Sequence, residues 1–125
     1  EARIIGDMCL SQVIPAAVRY KNVLIENVKG LKKIFGDDYL SYCTSEMDAL
    51  KAISQYINNM SADVEQLVEA RKKANRIENI AQRAKVYSRE VKDMMERVRE
   101  SADNLEMLID NEMWPLPKYR ELLFF

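Results

Sequence analysis

Three carboxylates near the C-terminal end have the clearest spacing for chemistry. Glu106 and Asp110 lie one turn apart if this segment is helical, and Asp103 precedes them by about another turn. Carboxylate oxygens on one helix face could bind a hard cation such as Mg²⁺ or Ca²⁺. A solvated acidic face has the same pattern and is far more common, so the spacing predicts an exposed face ahead of a cation site.

Two other charged clusters also have two interpretations. Asp37 and Asp38 could contact a cation, although two aspartates after a helix-ending glycine more often cap the next turn. The basic run at residues 71–73 could hold a phosphate. Because Glu65 and Glu69 precede it by one or two turns, a charge-balanced helix end is the favoured interpretation.

The sequence contains no histidine, and this excludes several kinds of site from within the chain. Ser-His and Cys-His nucleophile pairs, Glu-x-x-His di-metal sites and Cys/His zinc sites all require one. The three glycines are scattered, so the sequence has no Gly-rich phosphate loop. Cys9 and Cys43 form no CxxC motif and are predicted to be buried free thiols in a reducing cytosol. We predict no catalytic constellation in these residues.

The overall composition predicts one folded helical domain. A length of 125 residues is usual for a single compact domain. With 19 basic and 20 acidic residues the net charge is -1, which gives no general attraction for nucleic acid or anionic membranes. No apolar run approaches the roughly 18–20 residues of a membrane span, so we expect a cytoplasmic protein. Only three Gly and three Pro favour a few long helices.

The first third of the chain predicts a long amphipathic helix with a disturbance at Pro15. Apolar residues follow three-, four- and seven-residue steps at Ile14, Ala17, Leu24, Val28, Leu31 and Phe35. Pro15 either kinks one helix or begins a new helix in its first turn. Ser11 would cap the new helix if the break came earlier. Gly36 is predicted to end the helix in a left-handed cap.

The middle of the chain predicts a second helix that starts at Ser45, which forms a capping box with Asp48. Its core-facing residues are predicted to be Leu50, Ile53, Ile57, Met60, Val64, Leu67 and Ala74. We place the turn to a third helix at residues 75–79, where Asn79 and Gln82 match a second capping box. The alternative is one uninterrupted helix of about 70 residues, far above ordinary lengths.

The third predicted helix has a core-facing seam at Ile80, Ala84, Tyr87, Val91, Met94, Val98, Leu105 and Leu108. It ends before Trp114-Pro115, because a residue that precedes proline is disfavoured in helical conformation. The tail beyond it is unusually apolar for a chain end. It either folds back on the chain's own core or docks on another domain or subunit. Its predicted packing residues are Trp114, Leu116, Tyr119, Leu122, Leu123, Phe124 and Phe125.

Together these patterns predict an all-α fold, an antiparallel bundle of three long helices with a short N-terminal helical segment. We assign residues 1–14 to the N-terminal segment, which would lead from a missing upstream domain. Residues 15–113 form the predicted bundle, and residues 114–125 form the apolar C-terminal tail.

Three collinear strings of residues carry a family resemblance. The first is IPAAVRY at residues 14–20, which continues as NVLIENVKGL at residues 22–31. The second is VEARKKAN at residues 68–75, and the third is WPLPKYRELLF at residues 114–124. Together they resemble the C-terminal region of type III glutamine synthetases, the long-chain form found in some bacteria. Residues 11–13, Ser-Gln-Val, depart from the Asn-His-like sequence expected before the Ile-Pro pair.

The resemblance implies that the chain is the C-terminal helical portion of a much longer enzyme. That enzyme would join glutamate and ammonia using ATP and a divalent metal, Mg or Mn, in a large homo-oligomer. The family's nucleotide, metal and glutamate ligands would lie upstream of Glu1, so no catalytic, cofactor-binding or metal residue is assigned here. The start at Glu1 instead of Met fits a piece of a longer protein.

The resemblance also implies a role and partners. The role would be non-catalytic packing and oligomer assembly, and the partners would be the upstream catalytic domain and like subunits. The alternative is a free-standing helical adaptor that binds a partner helix and has no enzymatic activity.

Overall fold

The structure, a computed structural model, describes residues 2–116, and about 89% of them are helical. There is no strand in this range, and the all-α prediction is confirmed. The elements are α1 (Ala2–Met8), a π turn (Cys9–Val13), α2 (Ile14–Phe35), a 3-10 helix (Gly36–Tyr42), α3 (Thr44–Asn75), α4 (Ile80–Val86), a second π turn (Tyr87–Val91) and α5 (Lys92–Leu108). They make three long helices, at residues 2–35, 44–75 and 80–108.

The first long helix passes Pro15 without leaving helical backbone conformation. In the π turn before it, the Ile14 N–H donates to the carbonyl of Cys9, five residues back. Pro15 then falls in the first turn of α2, where its missing N–H is tolerated. Ser11 is not a cap, because its hydroxyl donates to the Asp7 carbonyl at 2.6 Å within the helix.

The connection between the first two helices differs from the prediction in two details. Gly36 ends α2 with the predicted positive φ of 61°, but its ψ of -133° lies in the mirror image of the extended region, which glycine adopts readily. The capping box at Ser45 is wrong, because the helix already begins at Thr44 and its N-cap, Cys43, makes no side-chain cap bond. The Thr44 hydroxyl instead donates to the Leu40 carbonyl at 3.3 Å.

The core lies between the three long helices. Five of the seven residues predicted for the stripe of the second helix are buried, namely Ile53, Met60, Val64, Leu67 and Ala74. Leu50 and Ile57 are half-buried. Gly6 of the first helix faces Val64, where an added Cβ would lie 3.6 Å from Cγ1. At the other end, the Asn27 amide donates to the Glu46 carboxylate at 3.0 Å. Because the later residue of one helix meets the earlier residue of the other, these two helices run in opposite directions.

The predicted seam of the third helix is right in its C-terminal part and wrong at its start. Its buried members are Val91, Val98 and Leu105. Ile80 is 80% exposed, and Ala84 is exposed as well. The π turn at Tyr87–Val91 adds one residue to the helical turn and so rotates the preceding residues relative to the core. Arg83 and Val86 are half-buried in their place.

The turn predicted at residues 75–79 is confirmed, because the second helix ends and the third begins there. The Asn79 side chain accepts a hydrogen bond from the Gln82 N–H at 3.0 Å, which is one of the two bonds of the predicted capping box. From the far side of the turn, the Arg83 Nε donates to the Ile77 carbonyl at 2.8 Å. No helix within residues 2–116 has both the length and the apolar content of a membrane span.

Replacing Asn79 with alanine is expected to lower the free energy of unfolding by about 1 kcal/mol, because the Gln82 N–H loses its acceptor. Urea unfolding followed by circular dichroism measures the change. Asn58→Ala is the matched control, since Asn58 is exposed inside α3 and alanine there favours the helix. An Asn79→Ala protein as stable as the parent would show that this cap does not hold the turn.

Candidate functional site

An apolar groove of about 360 Å³ lies between the start of the first long helix and the end of the third. Its apolar walls are formed by Ile5, Met8, Cys9, Val13, Val98 and Ala102, with Trp114 and Leu116 beside them. Arg99, Asp103 and Glu106 also line it. The groove can therefore bury apolar groups while charged side chains remain close by.

A hydrogen-bonded turn directs the chain from α5 back into this groove. Ile109 leaves the helix with an extended backbone and is buried. The Asp110 carboxylate accepts from the Glu112 N–H at 3.0 Å. The Asp110 carbonyl accepts from the N–H groups of Met113 and Trp114, each at 3.0 Å. This turn explains why Trp114, outside any helix, is only 8% exposed.

The structure describes two of the seven residues predicted to pack at the tail. Trp114 is buried and Leu116 is half-buried, and both line the groove on the chain's own core. At these two positions the segment therefore folds back on its own chain. The other five, Tyr119, Leu122, Leu123, Phe124 and Phe125, lie outside the described residues. Their role in an interface stays a prediction.

The carboxylates considered for a cation have separate roles in the structure. Asp110 accepts a hydrogen bond in the turn, whereas Asp103 and Glu106 line the groove. Burial raises the pKa of Asp103, Glu106 raises it further, and Arg99 opposes both effects. No group of three His, Cys, Asp or Glu side chains within residues 2–116 is placed to hold a metal ion.

The other two charged clusters lie at helix ends. Asp37 and Asp38 are exposed in the first turn of the 3-10 helix, where negative charge is favourable. Lys72 and Lys73 are exposed in the last turn of α3, where positive charge is favourable. Both positions agree with the helix-end interpretation of these clusters.

The two cysteines are free and buried, as predicted. Cys9 lines the groove, and burial raises the pKa of its thiol to about 11. Because the thiolate is the nucleophilic form, this shift disfavours nucleophilic chemistry at Cys9. The groove therefore offers mainly an apolar contact surface.

A second cleft, of about 280 Å³, lies between the second and third helices and is polar. Among its lining residues are Tyr56, Asn59, Asp63, Arg97, Glu100 and Asn104. We did not predict this cleft from the sequence, because its two sides come from separate helices. The available signal was polar residues at helical spacing beside each apolar stripe, a pattern that any solvated face shares.

Comparison with known proteins shows that this chain is similar in sequence to glutamine synthetases. The glutamine synthetase of Bacteroides fragilis is 41% identical over 125 residues, 99% of this chain. The resemblance to glutamine synthetases is confirmed. The type-3 glutamine synthetase of Dictyostelium discoideum is 24% identical and the glutamine synthetase of Butyrivibrio fibrisolvens 26% identical, each over 99% of the chain. The chain spans 17% of the length of each of these glutamine synthetases, and no family model matches it.

Proposed function

We propose that this chain is a non-catalytic, C-terminal helical portion of a glutamine synthetase, with a role in packing and oligomer assembly. The observation that carries the proposal is the 41% identity along 99% of the chain to an enzyme of which the chain spans 17%. A segment that matches only this share of its relatives is expected to act together with the rest of such an enzyme.

The whole enzyme is proposed to join glutamate and ammonia using ATP and Mg or Mn, as a homo-oligomer in the bacterial cytoplasm. Its nucleotide, metal and glutamate ligands are proposed to lie upstream of Glu1. The chain spans only 17% of its glutamine synthetase relatives, which leaves room elsewhere in such an enzyme for these ligands.

The packing unit is proposed to be an antiparallel bundle of the three long helices. Two observations support it, the opposite directions of the first two helices and the short turn at residues 75–79. Buried side chains of all three helices belong to one hydrophobic cluster, which Trp114 joins. Such a shared core gives the bundle a fixed shape, and a fixed shape is what a structural support requires.

The contact surface is proposed to be residues 117–125, which follow directly on Leu116 in the groove. This segment supplies five large apolar side chains, each worth roughly 1.5–3 kcal/mol when fully removed from water. They are proposed to pack on the catalytic domain or on a neighbouring subunit. Because Leu116 lines the groove, the partner is proposed to lie near that end of the groove.

A turnover assay tests the non-catalytic part of the proposal. The purified chain, supplied with ATP, glutamate, ammonia and Mg²⁺ or Mn²⁺, is expected to form no glutamine above background. The glutamine synthetase of Bacteroides fragilis serves as the positive control. Clear turnover by this chain alone would overturn the assignment.

A further inference from the structure

The end of the hairpin formed by the first and second helices exposes apolar side chains within nine consecutive residues. We call residues 34–42 the hairpin tip. Ile34 is 75% exposed, Phe35 40%, Leu40 52% and Tyr42 58%. The 3-10 helix in this segment has no buried residue. Exposed apolar side chains concentrated in this way are typical of an interaction surface.

The hairpin tip is held in one shape by contacts within the tip and its flanks. The rings of Phe35 and Tyr42 are stacked, with centroids 4.0 Å apart. The Lys32 ammonium lies 5.5 Å from the centre of the Tyr39 ring. The buried Cys43 thiol donates to the Tyr39 carbonyl at 3.3 Å and so links the 3-10 helix to the residue that follows it. A surface that is already ordered loses little conformational entropy on docking.

The charges around the hairpin tip indicate which partner fits it. Lys32 and Lys33 are exposed before the apolar residues, and Asp37 and Asp38 are exposed among them. Lys29 is exposed as well but already pairs with Glu26 at 3.5 Å. The hairpin tip therefore carries both signs of charge close in sequence to its exposed apolar side chains. Two such surfaces related by a two-fold axis can place the lysines of each against the aspartates of the other. A partner surface of only one sign of charge would repel either the lysines or the aspartates of the hairpin tip.

We propose that the hairpin tip docks on the hairpin tip of a second copy of this chain. The docked pair covers the four apolar side chains and forms two equivalent sets of lysine–aspartate contacts across the axis. The inference deepens the proposed assembly role and rests on it for its biological meaning, but it uses a different surface. Ile34 lies 21 residues beyond Val13 of the groove, about 30 Å along the helix.

Sedimentation equilibrium of this chain over a range of concentrations tests the proposal. We expect a reversible dimer whose dissociation constant rises about tenfold or more in Ile34→Glu and in Leu40→Glu. Both side chains are exposed in the single copy, so the variants should keep the parent's circular dichroism and unfolding midpoint. Met107→Glu is the matched control, because Met107 is 86% exposed and lies outside the tip.

Charge reversal tests the proposed lysine–aspartate contacts, because non-specific association of apolar side chains would not depend on the sign of these charges. Lys33→Glu and Asp37→Lys should each weaken the dimer, and the double variant should recover most of the affinity. The unsubstituted chain truncated after Leu116 should still form the dimer. This result would show that the hairpin tip acts independently of residues 117–125. A monomer at all concentrations, a dimer unchanged by the tip variants, or equal weakening by Met107→Glu would overturn the proposal.

Discussion

Replacing Leu105 with alanine is expected to lower the free energy of unfolding by about 3 kcal/mol. Leu105 is 0% exposed in α5 and belongs to the cluster shared by the three long helices. Its truncation removes apolar surface from the core and leaves a cavity that close-packed neighbours fill only in part. Domains are stable by only about 5–15 kcal/mol, so the midpoint of urea unfolding should fall sharply.

Met107 provides the control for Leu105 within the same helix. It is also a large apolar residue, two positions away, but it is 86% exposed. Met107→Ala is expected to change the free energy of unfolding by no more than about 0.5 kcal/mol. If the two variants lose equal stability, α5 does not pack through the face that the structure shows.

The sequence predicts the second helix and its boundary with the third well. Its stripe from Ile53 to Ala74 keeps one helical period, and an uninterrupted α-helix turns that period into one buried face. The turn after it is predicted by a local hydrogen bond, from the Gln82 N–H to Asn79, that depends on neighbouring residues alone. Local chemistry and constant periodicity are the signals that a single sequence carries.

The two π turns explain most of what the sequence does not predict about the helices. Each adds one residue to a helical turn, so apolar positions counted before it fall on a different face from those after it. Ile80 is predicted in the core for this reason and is 80% exposed instead. The π turn before Pro15 has a sequence cue, the missing proline N–H, whereas the one at Tyr87–Val91 has no such cue.

The sequence predicts which tail residues are apolar enough to pack, but it does not predict where in the fold they pack. Trp114 and Leu116 are singled out by their apolar character at a chain end. Their position against Cys9 and Val98 depends on the Asp110 turn, which reverses the chain after α5. From its spacing Asp110 is compatible with a cation site but is predicted to lie on a solvated acidic face, and it is exposed. The sequence does not show the hydrogen bond that the Asp110 carboxylate accepts from the Glu112 N–H.

Removing residues 117–125 is expected to have the largest effect on assembly, because it removes five of the seven predicted packing side chains. The cut after Leu116 keeps Trp114 in the groove, and the bundle should retain its helix content. The matched control keeps the apolar residues and replaces Lys118 and Arg120 with alanine. If the apolar side chains make the contact, the control should assemble like the parent enzyme.

The most direct test of the assembly role uses the full-length enzyme that we propose contains these residues. Its sedimentation velocity reports the size of the oligomer. The enzyme cut after Leu116 should lose its largest assembly and sediment as smaller species, while the Lys118 and Arg120 control keeps the parent's sedimentation coefficient. An unchanged oligomer in the truncated enzyme, with the truncation verified by mass, would contradict an assembly role for this segment.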